Sequence, residues 1–99
     1  MPNHTRGHHL FSGKKRDPII YLVYFFMITT PLFELPQLFI IYGRQSSEGV
    51  SPWTWSFFMM ASAVWLVYGL KNKVLPLAVT SLLYFVIELA IVTGIFLYQ

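Results

Sequence analysis

Three apolar stretches, each about as long as a bilayer-spanning helix needs, constrain this chain more than any other feature. Residues 19–42 are interrupted only by Glu34, residues 52–70 carry no charge, and residues 74–98 carry only Glu88. A hydrocarbon core about 30 Å thick takes roughly 20 helical residues at about 1.5 Å each, so each stretch can cross once. Composition agrees: 56% of the 99 residues are hydrophobic and 11% are charged, against roughly a quarter charged in soluble domains. A soluble enzyme is excluded. The absence of cysteine removes disulfides, thiolate metal sites and cysteine nucleophiles. The net charge is +3, and Arg6, Lys14, Lys15 and Arg16 stand together in the first 18 residues. That grouping points to anionic lipid headgroups, not to nucleic acid.

The expected fold is an all-α membrane protein: a three-transmembrane-helix unit over residues 19–98 preceded by a basic polar tail, residues 1–18. Asp17 before Pro18 and Ser51 before Pro52 each place a capping acceptor ahead of a proline suited to a first helical turn. Gly43 and Gly69 are expected where the first two helices end. The loop GRQSSEGVS reads as polar and flexible, whereas Lys71, Asn72 and Lys73 form nearly all of the second connection. There is no internal repeat. His4, His8 and His9 lack further ordered ligands, so neither a metal nor a cofactor is expected. Asn3-His4-Thr5 matches the glycosylation pattern, which recurs by chance.

Pro36-Gln37 stands near the end of the first span. Fifteen residues after Pro36 comes Ser51, closing RQSSEGVS; fourteen further is Trp65 in WLVYG; eleven further is Pro76. In this order, and with Thr30 six residues before Pro36, the chain resembles a SemiSWEET of the PQ-loop transporter family. The resemblance covers about residues 19–98. It implies a triple-helix bundle pairing as a parallel homodimer around a substrate pathway, with Pro36, Gln37 and Tyr68 at the gate or hinge. It also implies substrate contact at Trp65 and at Ser81, where relatives carry an asparagine that offers more hydrogen bonds than a serine. In the short second connection relatives often place an arginine and an aspartate; Asn72 and Val74 stand there in this chain.

The residues themselves allow plainer readings beside these. Pro36 in a late helical turn removes a hydrogen bond and kinks the helix, whether or not the kink moves; Pro31 has no motif around it. Trp65, inside its span, suits either helix packing or stacking on a sugar ring. Trp53 and Trp55 open the span as interfacial anchors. Glu34 is close enough to the helix end to reach headgroup water, so a solvated or hydrogen-bonded side chain stands beside a gate role. Glu88, nearer mid-span, is the candidate pathway carboxylate, with a buried hydrogen bond to a neighbouring helix as the alternative. Two such Glu88 side chains would approach each other across a dimer axis. Six Lys and Arg on the tail side, against Arg44 alone on the other, predict a cytoplasmic N-terminus, while the resemblance implies an outer one.

The function expected is facilitative transport of a mono- or disaccharide by alternating access, in a cell membrane and without covalent chemistry. Two alternatives stand beside it: proton-coupled export of an amino acid or other small polar metabolite, and a non-transporting subunit whose helices pack on a partner.

Overall fold

The computed structural model describes residues 17–99. The basic tail, its histidines and Asn3 lie outside the described residues. Four helices follow one another: α1 (Pro18–Leu32), α2 (Leu35–Arg44), α3 (Pro52–Lys71) and α4 (Leu75–Leu97). The first two make one span of 27 residues, and three helical spans in all are long and apolar enough to cross a bilayer. Phe33 (80% exposed), Trp53 (86%) and many other large apolar side chains face outward, as hydrocarbon in place of water requires.

Two of the expected caps form. The Ile19 N–H donates to Asp17 Oδ1 at 3.1 Å, and the Thr54 N–H donates to Ser51 Oγ at 3.2 Å. The glycine expectations are corrected. Helix α2 runs past Gly43 to Arg44, and the left-handed residue that stops it is Gln45 (φ 53°). Gly69 lies inside α3, where a Cβ would come within 2.9 Å of the Ala78 backbone nitrogen, so its role is close helix packing. The turn that follows Gly69 uses Lys73 (φ 57°), with the Val74 N–H donating to the Gly69 carbonyl at 2.9 Å. Asn72 turns back on α3, its Nδ2 donating to the Tyr68 carbonyl at 2.9 Å.

The first span is not one continuous helix, as expected, but is broken at Phe33–Glu34. Pro36 explains the position: its ring clashes with the carbonyl four residues earlier, that of Leu32, the last residue of α1. The freed groups close locally, Phe33 N–H on Thr29 and Thr30 and Glu34 N–H on the Pro31 carbonyl at 3.0 Å. Pro36 itself falls in the first turn of α2, where a missing N–H costs nothing.

Helix α4 is the centre of the unit. It packs on α3 along its length and on both α1 and α2, so the first and second spans flank it. Ile41, Ile87, Ile91 and Ile95 form the buried cluster at its C-terminal half, with Trp55 and Val50 packed against them. Trp55 is therefore part of that packing, and only Trp53 stands free as an anchor. The loop after α2 is also tied down: buried Ser47 donates its N–H to the Tyr98 carbonyl at 3.2 Å and its hydroxyl to the Ile95 carbonyl at 3.3 Å.

Candidate functional site

Because α4 lies behind and the two outer spans stand to either side, an open cleft of about 310 Å³ forms at mid-span. Its floor is Tyr84 and Glu88 of α4, one wall is Phe58, Ala61, Ser62 and Trp65 of α3, and the other is Glu34 at the α1–α2 break. Three local features build it. The break forced by Pro36 turns the Glu34 position out of regular helix. Ser62 is a small residue that lets α3 approach α4 closely. Tyr84 and Glu88 are four residues apart, hence on one face of α4.

The polar groups converge. Ser62 Oγ donates to Glu88 Oε1 at 2.6 Å, a buried contact between helices. Glu88 is 3% exposed. Glu34 and Glu88 are close enough to interact directly, and Tyr84 lies within the electrostatic reach of both. Glu34 Oε1 is shut off from solvent and accepts no hydrogen bond among the described residues. Among the described residues no lysine, arginine or histidine lines the cleft. The Trp65 indole, 53% exposed, meets Tyr68 edge-on with ring centroids 6.0 Å apart.

The predicted residues are thus partly assembled. Trp65 and Glu88 line one cleft; Tyr68 adjoins it through Trp65. Pro36 and Gln37 lie in the first turn of α2, beside the break that carries Glu34. Ser81, two turns from Glu88 on α4, is 3% exposed and is not among the cleft-lining residues. Of the readings open for Glu34, the structure places its side chain against Glu88. Within one chain, the carboxyl that faces Glu88 is that of Glu34. Ser62 and Tyr84 were missed. A serine in a span otherwise free of charge was the available signal for the first. Larger grooves exist, of about 550 Å³ along α3 and about 420 Å³ between α1 and α4, but neither contains a carboxyl group.

The structure is thus a three-span helical membrane protein with two carboxyl groups facing a cleft in the middle of its apolar thickness, where ionisable groups are costly and mark a candidate functional site. Against known proteins, the chain is 29% identical over 85 residues, 84% of its own length and 84% of the relative's, to a protein named sugar transporter SemiSWEET from Vibrio sp. (strain N418). That similarity supports the SemiSWEET-type resemblance read from the motifs. No family model matches the chain, and no solved structure matches it. The chain is an integral membrane protein.

Proposed function

We propose that this protein carries small saccharides across the cell membrane, without covalent catalysis, by alternating access as a parallel homodimer. The observation that carries the reading is the mid-span cleft with Trp65 in its wall: an indole offers a flat apolar face to a pyranose ring and one N–H to a hydroxyl. The similarity to a named sugar transporter over most of both chains supports the substrate class. Movement is facilitative, a uniport of a mono- or disaccharide down its gradient. The cleft's open side supports dimerisation, since one chain supplies a floor and two walls and a second copy would supply the rest of an enclosed route. The α1–α2 break at Pro36-Gln37 is the hinge of one gate, and Tyr68 beside Trp65 contributes to the closure. Ser81, buried in this conformation, meets substrate only when α4 separates from a neighbour.

Counterflow of radiolabelled glucose, other monosaccharides and disaccharides in proteoliposomes tests the reading. Trp65→Ala should lower counterflow by up to about tenfold, the ratio one good stacking contact supplies. Crosslinks between equivalent α4 positions of two copies should form in membranes. Normal counterflow by assembled Trp65→Ala protein sinks the pocket, and counterflow by nanodiscs holding single chains sinks the dimer.

A further inference from the structure

Among the described residues the cleft holds two carboxyl groups and no cationic side chain to balance them. Glu34 comes from the α1–α2 break and Glu88 from α4; the groups that face them are Ser62 and Trp65 from α3 and Tyr84 from α4, none of them cationic. Ser62 satisfies one oxygen of Glu88. Glu34 Oε1, sealed from solvent, waits for a donor. Two acidic groups facing one another within apolar spans are costly in that environment, and a positive donor between them removes both the repulsion and the orphaned acceptor.

The wall supplies only the neutral donors Ser62, Tyr84 and Trp65, so a cationic donor must come from elsewhere, as a bare cation or as part of a molecule. The geometry favours a molecule: a bare ion needs neither a cleft of about 310 Å³ nor an exposed indole beside the carboxyls. A ligand matching the whole arrangement has a saccharide-sized ring for Trp65 and an ammonium group for Glu34 and Glu88. We infer that Glu34, Glu88 and Trp65 form a recognition site for an amine-bearing saccharide, so that the carrier prefers an amino sugar to its neutral counterpart. Ser62, by holding Glu88 at 2.6 Å, is a positioning residue for this site. The inference rests on the reading of the cleft as the sugar route and narrows its substrate class.

The test compares three probes of nearly one shape in proteoliposomes of the full chain: glucosamine, glucose and N-acetylglucosamine, whose amide has lost the charge. Near neutral pH, glucosamine should outcompete both others in counterflow by about tenfold or more, the ratio a single charge-assisted hydrogen bond supplies. In Glu34→Gln and in Glu88→Gln that ratio should fall toward one, because the amide keeps the shape and loses the charge. Equal handling of the three probes by the wild type overturns the amine site and leaves sugar transport standing. So does a rate that responds only to external pH or to sodium, which would make the pair an ion site. If no sugar moves, titration calorimetry of purified protein with glucosamine decides: binding that is lost in both glutamine variants keeps the amine site while the transport reading falls, and absence of binding overturns the amine site as well.

Discussion

The two halves of α4 face opposite problems. Toward its C-terminus, Ile87, Ile91 and Ile95 pack on Ile41, the Tyr42 hydroxyl donates to the Ala90 carbonyl at 2.8 Å, and Ser47 ties the preceding loop to Ile95 and Tyr98. Every polar group named there has a partner. At mid-helix Glu88 and Tyr84 floor a cleft where Glu34 Oε1 has none. The helix is thus clamped at one end and chemically unfinished in the middle. In a bilayer this division has a physical basis: lipid tails are as apolar as leucine, so association is held by close packing and hydrogen bonds, and the clamp supplies both where α2 meets α4. The cleft, by contrast, keeps Glu34 Oε1 without a hydrogen-bond partner among the described residues.

The largest effect is expected at the tightest point of the clamp. A Cβ at Gly94 would fall 2.7 Å from Tyr42 Cε1 and 3.0 Å from Ile41 Cγ2, and the Tyr42 ring is held by its hydrogen bond to Ala90 and by edge-on contact with Tyr98. Gly94→Val should therefore lower stability by about 3 kcal/mol, the upper part of the range for overpacked cores. Gly43→Ala is the matched control: its Cβ meets nothing within 4 Å, and alanine favours helix, so stability should be equal or slightly higher. Thermal unfolding in detergent, followed by circular dichroism, reads both. Equal losses in the two variants would mean that α2 and α4 are not clamped at Gly94.

Ser81 tests whether the packed region extends below the cleft. The resemblance suggested that asparagine would be tolerated there, as it stands in relatives. At 3% exposure, however, the larger amide enters packed space and must also find partners for its polar atoms. Ser81→Asn should cost about 1–3 kcal/mol by the same unfolding measurement. A variant as stable as the wild type, with improved counterflow, would show that Ser81 faces the route and that the cleft reaches further along α4.

Much of this architecture was legible in the sequence, for reasons that can be named. The spans follow from length and hydropathy, the starts of α1 and α3 from Asp17 and Ser51, and the importance of Glu88 from the cost of a mid-span carboxyl. What was not legible is where helices meet. Gly69 and Gly94 serve as contact points, which depend on the neighbour that passes them, and nothing local distinguishes those roles from helix ending. Pro36 was visible, but the consequence that matters falls earlier, at Leu32, and it turns Glu34 from a residue near headgroup water into the partner of Glu88. Ser47 shows the same limit: a polar loop looks mobile until the carbonyls it binds, more than forty residues later, are known.

The smallest expected loss of stability, and the sharpest test of the contrast between clamp and cleft, is that of Ser62→Ala. The substitution removes the only hydroxyl donating to Glu88 Oε1 among the described residues while leaving α3 helical, since alanine is the better helix former. In a sealed core the loss would leave a buried acceptor unsatisfied at about 1–3 kcal/mol. The cleft is open on one side, so water can reach the vacated position and restore most of that hydrogen bond. The expected cost is therefore about 1 kcal/mol, well below that of Gly94→Val. The effect on recognition should be larger than the effect on stability, because Ser62 fixes one carboxyl of the pair: the preference for glucosamine over glucose should shrink in Ser62→Ala and return in Ser62→Thr, which keeps the hydroxyl. Unfolding and competitive counterflow on the same preparations separate the two readouts. A loss of stability as large as that of Gly94→Val would mean that the hydrogen bond between Ser62 and Glu88 is a structural tie like those around Ile91, and that the clamp occupies the whole of α4.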